Sequence, residues 1–229
     1  MRDVKSPAAS LRAERALITR RRVEAAARRL FADHGYAATT LREVAADAGV
    51  AVQTVYAVYG TKANVLRALL RTVINDPEAD AAYRAALAAE TAAEARAAFA
   101  RSIRLRWERG QDVVMIHAAA ASADPELRAE ADGGRAARRR GILDLARRLS
   151  ILEPVPGGVE RVAAMIDGLT LPAVYAVLTT AYGWTPDAYE QWLARMLGVV
   201  GSIESSSGGV EARVGAGAVG HAPNPTDGP

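Results

Sequence analysis

One short stretch of the chain carries side chains that suit the recognition of DNA bases. The amide of Gln53 matches the donor and acceptor of adenine, and the methyl groups of Val52, Thr54 and Ala57 match the methyl group of thymine. Arg42 stands near the start of another short helical segment, where a cation opposes the helix dipole and a phosphate partner would offset that opposition. All five side chains are equally compatible with an ordinary solvated surface, so the interpretation depends on the helices that carry them.

The hydrophobic pattern of residues 19–75 predicts four helices around this stretch. Thr40 and Glu43 form a capping-box pattern at the start of the second helix, and Gly35 and Gly49 follow the first two helices. Two short helices joined by a tight glycine-containing turn behind a longer helix are typical of a helix-turn-helix, whose last helix enters the major groove of DNA. The predicted helices cover residues 19–34, 40–48 and 52–59, with a fourth starting near residue 61.

The charge distribution also favours a nucleic-acid partner. Residues 1–75 contain 13 Lys and Arg against 6 Asp and Glu, a net charge of +7, whereas residues 76–229 contain 16 against 20, a net charge of −4. A basic segment on an acidic body is typical of a polyanion-binding module, and a chance surplus of arginine is the alternative. Cysteine is absent and there are 3 histidines, which excludes cysteine-based zinc sites and argues against a site made of histidine alone. We therefore expect no metal and no cofactor.

Other classes of protein are disfavoured by the same sequence. It contains no paired-carboxylate constellation, phosphate-cradling glycine loop or nucleophile–base motif, so we expect no enzyme activity. It also has no signal-peptide pattern and no uninterrupted apolar run of membrane-spanning length. A cytoplasmic protein without membrane contact is the resulting expectation.

The sequence predicts an all-α fold of about nine helices, because alanine is the commonest residue and alternating β-branched runs are scarce. Residues 76–203 have the pattern of a helical bundle, in which Pro172 should kink a helix. Residues 1–18 are expected to be a flexible arm, whose arginines are either minor-groove ligands or merely solvated. Residues 204–229 are expected to be a disordered tail. The bundle helices are predicted over residues 92–109, 111–123, 125–149, 159–182 and 186–203.

One set of residues in the N-terminal part agrees in order and spacing with a known family: Phe31, Gly35, Tyr36, Thr39–Ala45, Ala48–Val50 and Thr54–Lys62. With these residues the sequence resembles the TetR (tetracycline-repressor-like) family of bacterial transcription regulators. The resemblance is strong over residues 20–70 and weaker in the segments 167–169 and 183–189. It implies a homodimer with an N-terminal DNA-binding domain and a C-terminal helical domain that holds a small ligand and the dimer interface.

The resemblance assigns phosphate contacts to particular side chains. It implies that Tyr56 and Lys62 bind phosphates and that Thr40 is both a helix cap and a phosphate neighbour. The family often has Ser at the position of Ala51, and His followed by Phe where Val58 and Tyr59 stand. Because Val58 cannot donate a hydrogen bond, its phosphate contact passes to Tyr59 or is lost.

The C-terminal part offers candidates for a ligand site and for a dimer interface. Polar and aromatic residues on apolar helices could line a pocket, although such residues more often belong to a satisfied core: Phe99, Ile103, Trp107, His117, Met165, Asp167 and Tyr175. The last two helices each present a wide apolar face that a two-fold four-helix interface would bury. The predicted interface residues are Val162, Ile166, Leu169, Tyr189, Trp192, Leu193, Met196, Leu197 and Val200.

Two functional hypotheses follow. The first is a homodimeric repressor that a small, largely apolar effector releases from a palindromic operator in double-stranded DNA. The second is a DNA-binding regulator without a small ligand, whose bundle serves only dimerisation or a protein partner. An apolar pocket with a few polar groups would favour the first hypothesis.

Overall fold

The computed structural model describes residues 7–155 and 157–202, which form ten α-helices and no strand. The all-α prediction is therefore confirmed for these residues, with one helix more than expected. In chain order the helices are α1 (Pro7–His34), α2 (Leu41–Ala48), α3 (Val52–Tyr59), α4 (Lys62–Ile74), α5 (Pro77–Ala88), α6 (Ala92–Ala120), α7 (Pro125–Leu152), α8 (Val159–Leu169), α9 (Pro172–Ala176) and α10 (Pro186–Ser202). A π-helical turn, Val177–Ala181, follows α9.

Helices α1–α4 surround one hydrophobic core. The apolar stripe of α1 is buried through Val23, Ala27 and Phe31, and it packs against inward-facing side chains of α2, α3 and α4. The capping box of Thr40 and Glu43 is present at the start of α2. Helices α2 and α3 lie within one residue of their predicted bounds, because local hydrogen-bonding residues and glycines set these helix ends.

The start of α1 differs from the prediction. The helix begins at Pro7 rather than near Thr19, so residues 7–18 continue it and are not the expected arm. A proline in the first turn followed by alanine, leucine and arginine favours helix, which the mixed charges of this segment obscured. Residues 1–6 of the predicted arm and the predicted tail, 204–229, lie outside the described residues.

Helix α6 joins two predicted helices into one that bends at Gly110. This glycine has non-helical angles, φ −163° and ψ 24°, and it is buried against α4. A Cβ atom at Gly110 would lie 2.0 Å from Cγ2 of Val73. The absence of a side chain therefore lets α4 approach the bend directly.

The second half of the chain departs from a regular bundle at Pro172. The single helix predicted over 159–182 is divided into α8, α9 and the π-helical turn, because proline cannot continue the hydrogen-bond ladder. Among the described residues no single helix is long and apolar enough to cross a membrane. Val159–Leu169 and Pro172–Ala181 reach that length and apolarity only together, as a pair bent by 41°.

A second hydrophobic core lies between α5, α6, α7, α8 and α10. Its largest fully buried side chains include Leu145, Ile166, Tyr189 and Leu193. The stretch of α6 after Gly110 instead packs on the first core through Val113 and Ala120. Helix α6 therefore belongs to both cores and connects them rigidly.

Candidate nucleic-acid interface

Helix α3 buries one side and exposes the other. Val55 is fully buried, whereas Gln53, Tyr56 and Ala57 are exposed, and 55% of the Tyr56 surface is accessible. Val52 and Thr54 are half-buried. The base-reading and phosphate-binding candidates of this helix thus share an accessible surface, as a major-groove helix requires.

Tyr59 does not belong to that surface. It is 9% exposed, and its hydroxyl donates to Oε1 of Glu24 at 3.0 Å. Burial and the bond to Glu24 raise the pKa of this phenol. The predicted transfer of a phosphate contact to Tyr59 is therefore wrong, because Tyr59 follows the buried Val55 by four residues and lies on the same helix face.

The start of α2 is accessible and well capped. The Thr40 amide donates to Oε2 of Glu43 at 2.7 Å, and the amide of Glu43 donates to the Thr40 hydroxyl at 3.2 Å. These bonds to Thr40 lower the pKa of the Glu43 carboxyl. Thr40 and Arg42 are both exposed. The Thr40 hydroxyl donates to Oε2 of Glu43 at 2.8 Å, so a phosphate would have to replace that hydrogen bond. At the start of α3, Ala51 makes no side-chain cap, as its residue type predicted.

Lys62 has a structural role. Its ammonium donates to the carbonyl oxygens of Tyr36 at 2.6 Å, Ala37 at 3.2 Å and Thr39 at 2.8 Å, and it lies 4.4 Å from the centre of the Tyr36 ring. Three donors meet three acceptors, so no N–H remains for DNA. The predicted phosphate contact is thereby corrected, and the residue instead holds the loop between α1 and α2.

Ion pairs attach the helix-turn-helix to the bundle at two places. The Arg28 guanidinium bonds both carboxylate oxygens of Asp112, at 2.7 and 2.6 Å, just beyond the α6 bend. Arg67 of α4 bonds Glu126 and Glu130 of α7, at 3.0 and 2.7 Å. The orientation of α1 and α4 therefore depends directly on α6 and α7.

His117 belongs to this junction and not to a pocket. It is 4% exposed, and its Nε2 atom lies 3.7 Å from Oε2 of Glu130 without forming a hydrogen bond. Burial lowers its pKa, which Glu130 partly opposes. The predicted ligand role of His117 is therefore wrong, because the α6 bend turns this residue toward α4 and α7.

A cavity of about 310 Å³ opens between α5, α6 and α7. Two predicted ligand residues, Phe99 and Ile103, line it together with Tyr83 and Ile142. The polar groups at its wall are Asp80, Ser102, Arg106 and Arg138. This is an apolar cavity with a few polar groups, and α5, which carries none of the predicted ligand residues, forms one of its walls.

Arg106 connects this cavity to the helix-turn-helix. One guanidinium nitrogen donates to the Ile74 carbonyl at the end of α4, at 3.0 Å, and another bonds Asp80 at 2.7 Å. Nothing in the sequence distinguishes Arg106 from the many other arginines. Its position one turn before Gly110, on the face toward α4 and α5, is visible only in the fold.

The other predicted ligand residues lie in the second core or next to it. Trp107 is 6% exposed and donates from its indole to the Thr170 carbonyl at 3.0 Å, and Tyr175 stacks edge-on against Tyr189. Met165 is half-buried against the same core. None of these three residues lines the cavity, and packing in the second core accounts for the position of each.

Asp167 lines a different surface. It bonds the Arg138 guanidinium at 2.9 Å and lies in a groove of about 410 Å³ between α7 and α8. Arg138 also donates to the Thr170 hydroxyl at 2.8 Å and stands between this groove and the cavity. Burial lowers the pKa of Arg138, and Asp167 opposes that shift. Asp167 therefore fixes a wall residue of the cavity without lining it.

Most of the predicted dimer residues lie inside the protomer itself. Six are at most 5% exposed within the chain's own core, so they are unavailable to a partner and the prediction for them is corrected: Val162, Ile166, Tyr189, Leu193, Leu197 and Val200. Leu169, Trp192 and Met196 are only half-buried. An apolar helix face has the same pattern whether it is buried within a protomer or between two protomers.

The family model of the bacterial regulatory proteins of the tetR family matches residues 25–69, which span the last third of α1, all of α2 and α3, and most of α4. A search of curated protein sequences finds no match.

Solved structures share the fold over most of both chains. A tetR-family regulatory protein from Rhodococcus is 20% identical, with a TM-score of 0.59 over 80% of this chain and 96% of that one. NalD of Pseudomonas aeruginosa, the secondary repressor of the MexAB-OprM multidrug efflux pump, is 19% identical, with a TM-score of 0.59 over 82% and 97%. A putative regulator from Saccharomonospora viridis in complex with choline is 20% identical, with a TM-score of 0.57 over 78% and 95%. At such identities the likeness establishes the fold.

Proposed function

The chain belongs to the TetR family of DNA-binding transcriptional regulators, and we propose that it acts in the cytoplasm as a homodimeric repressor that a small ligand releases from a palindromic operator. The exposed surface of α3 carries the proposal. It presents Gln53, Tyr56 and Ala57 on a rigid, capped scaffold inside a domain of net positive charge. We assign the helix-turn-helix to residues 19–75 and the ligand-binding and dimerisation unit to residues 76–203.

The DNA contacts are divided by chemistry. Tyr56, Thr40 and Arg42 are proposed to bind phosphates, and Gln53, Val52, Thr54 and Ala57 are proposed to face base edges. In fluorescence-anisotropy titrations on a selected operator, Tyr56→Phe should weaken binding to every sequence, by about 1 kcal/mol. Gln53→Ala should instead relax the preference at particular base pairs. If Gln53→Ala lowered affinity uniformly, its assignment to a base would be wrong.

The cavity supports the response to a ligand. Its volume lies at the lower end of the usual range for small molecules, and its aromatic and aliphatic walls suit a largely apolar ligand with one or two polar groups. Choline in the Saccharomonospora viridis regulator is a precedent for a small ligand in this fold. A ligand group that accepts the hydrogen bond of Arg106 in place of the Ile74 carbonyl oxygen would change the contact between α6 and α4. The orientation of α3 would change with it.

A cavity-filling variant tests this step. Ala137→Phe, at the cavity wall, should keep operator affinity but abolish both the thermal shift and the release by any ligand found in a metabolite screen. Ala93→Phe, at a distant groove beside α10, is the matched control. If no compound shifts the melting temperature of the wild-type protein or releases its operator, the regulator without a small ligand is the better hypothesis.

The dimer interface is proposed on the accessible flank of α8 and α10. Leu169, Trp192 and Met196 are half-buried there, and Val199 is 49% exposed. A two-fold pairing would remove these apolar surfaces from water. Met196→Glu should yield a monomer in sedimentation, whereas Ile151→Glu, at a 74% exposed apolar position on α7, should leave the assembly unchanged. A dimeric Met196→Glu protein would place the interface elsewhere.

A further inference from the structure

The first turns of α1 extend beyond the helix-turn-helix that the rest of α1 supports. The hydroxyl of Tyr59, the last residue of α3, donates to Glu24 at 3.0 Å and lies 3.5 Å from the Arg20 carbonyl oxygen, and Arg22 donates to the Gly49 carbonyl at 3.4 Å, so α2 and α3 contact α1 at these turns. The other end of α1 points toward the bundle through the ion pair of Arg28 and Asp112. The segment Pro7–Ile18, which we call the α1 extension, therefore leaves the domain at the end opposite the bundle and beside α3.

The α1 extension has a positively charged side that faces nothing in the chain. Along α1, Arg12, Arg15 and Thr19 continue the stripe that further on consists of Val23, Ala26 and Leu30, at spacings of three and four residues. At Val23, Ala26 and Leu30 this stripe packs against the inward-facing side chains of the helix-turn-helix. Beyond the domain, Arg12 and Arg15 occupy the same side of the helix and are exposed. They consequently point to the space next to α3.

The charges on this side are not neutralised by the protein. Within the described residues neither Arg12 nor Arg15 forms an ion pair, whereas Arg28 and Arg29 on the same helix pair with Asp112 and Asp47. Glu14 lies on the opposite side of the extension by helical spacing. Two unpaired guanidinium groups beside a DNA-reading helix match the charge of a phosphate backbone.

We propose that the α1 extension is a second DNA-binding element, in which Arg12 and Arg15 bind phosphates flanking the major groove that α3 occupies. This inference rests on the DNA-binding surface of α3. From Pro7 to Ile18 the helix rises about 18 Å, which corresponds to about 5 base pairs of duplex. The extension therefore lengthens the contacted DNA and makes affinity depend on base pairs that α3 does not touch.

The test begins with an operator selected from a random duplex library by the full-length protein. Wild-type protein and Arg12→Gln/Arg15→Gln are titrated on two duplexes, one with long flanks and one trimmed by about 5 base pairs on each side. The wild-type protein should bind the long duplex at least about fivefold more tightly, and the variant should bind both equally. The slope of log affinity against log salt should fall by about 0.9 for each lost phosphate contact.

The matched control is Arg84→Gln/Arg101→Gln, which removes two exposed arginines from the bundle helices α5 and α6. This control should keep the wild-type preference for the long duplex. Circular dichroism and melting temperature of both variants should equal those of the wild type, because none of the four side chains is buried. Hydroxyl-radical footprints should shorten only for Arg12→Gln/Arg15→Gln.

Three results would overturn the proposal. The first is an Arg12→Gln/Arg15→Gln protein that keeps the wild-type preference for long flanks. The second is a loss confined to cooperative binding on tandem operators, which would assign the extension to a contact between copies through the exposed Leu17 and Ile18. The third is a wild-type protein that selects no duplex, which would refute the DNA-binding surface itself and is distinguishable from the other two.

Discussion

Replacement of Lys62 by alanine should lower the stability of the helix-turn-helix more than it changes phosphate binding. The ammonium group makes three hydrogen bonds to the carbonyl oxygens of Tyr36, Ala37 and Thr39, and it contacts the Tyr36 ring. No other cation in the described residues donates to these three carbonyls. The loop between α1 and α2 would therefore lose the group that fixes the position of α2.

The magnitude follows from these contacts. Because the site is half-buried, we count about 1 kcal/mol for each of the two short bonds and about 0.5 kcal/mol for the ring contact. The sum, about 2.5 kcal/mol, corresponds to a fall in melting temperature of about 5–10 °C for a chain of this size.

Urea unfolding followed by circular dichroism measures the effect, with Arg42→Ala as the control because Arg42 is exposed and close by. Operator titrations below the melting temperature should show the salt slope of the wild type for Lys62→Ala. A stability within 0.5 kcal/mol of the wild type, together with a reduced salt slope, would refute this reasoning and restore the phosphate contact.

Three further predictions concern the junction and the caps. Gly110→Ala should cost about 1–3 kcal/mol by overpacking Val73, and the additional change Val73→Ala should recover part of the loss in the same urea assay. Thr40→Ala should cost about 1 kcal/mol through the lost cap, as should Thr91→Ala at the other capping box, but only the first should weaken operator binding. The wild type should lose stability as pH falls below about 6.5, since the unfolded chain binds a proton that buried His117 resists, and unfolding of His117→Leu at pH 5 and 7 should show a smaller loss.

Short-range signals in the sequence predicted the helix ends well. The capping box at Thr40 and the helix-ending glycine at Gly49 are both present, because each depends on residues within one turn. The burial of Tyr59 was also available from its spacing to Val55, but the resemblance to a family position obscured it. The local sequence pattern therefore predicted helix ends and burial better than the family resemblance predicted the contacts of single side chains.

The bundle was harder to predict because its contacts are distant in sequence. The apolar face of α10 has the same pattern whether it is covered by α6 and α8 or by a second protomer, and the structure shows Leu193 and Leu197 covered within the chain. His117 likewise depends on the bend at Gly110, which decides whether that half of α6 faces the cavity or α4. Composition and periodicity describe a helix face, and only the tertiary fold determines what packs on it.

The bend in α6 also determines how a ligand in the cavity can influence DNA. Phe99, Ile103 and Arg106 precede the bend and line the cavity, whereas Asp112 follows it and holds α1 through Arg28. The bond from Arg106 to the Ile74 carbonyl joins the wall of the cavity to the end of α4. A charge-assisted bond of this kind contributes about 1.5 kcal/mol, and about 1.4 kcal/mol is a tenfold change in affinity. We propose that a ligand which removes this single bond weakens operator binding by at most about tenfold, since the coupling free energy cannot exceed the contribution of the bond itself.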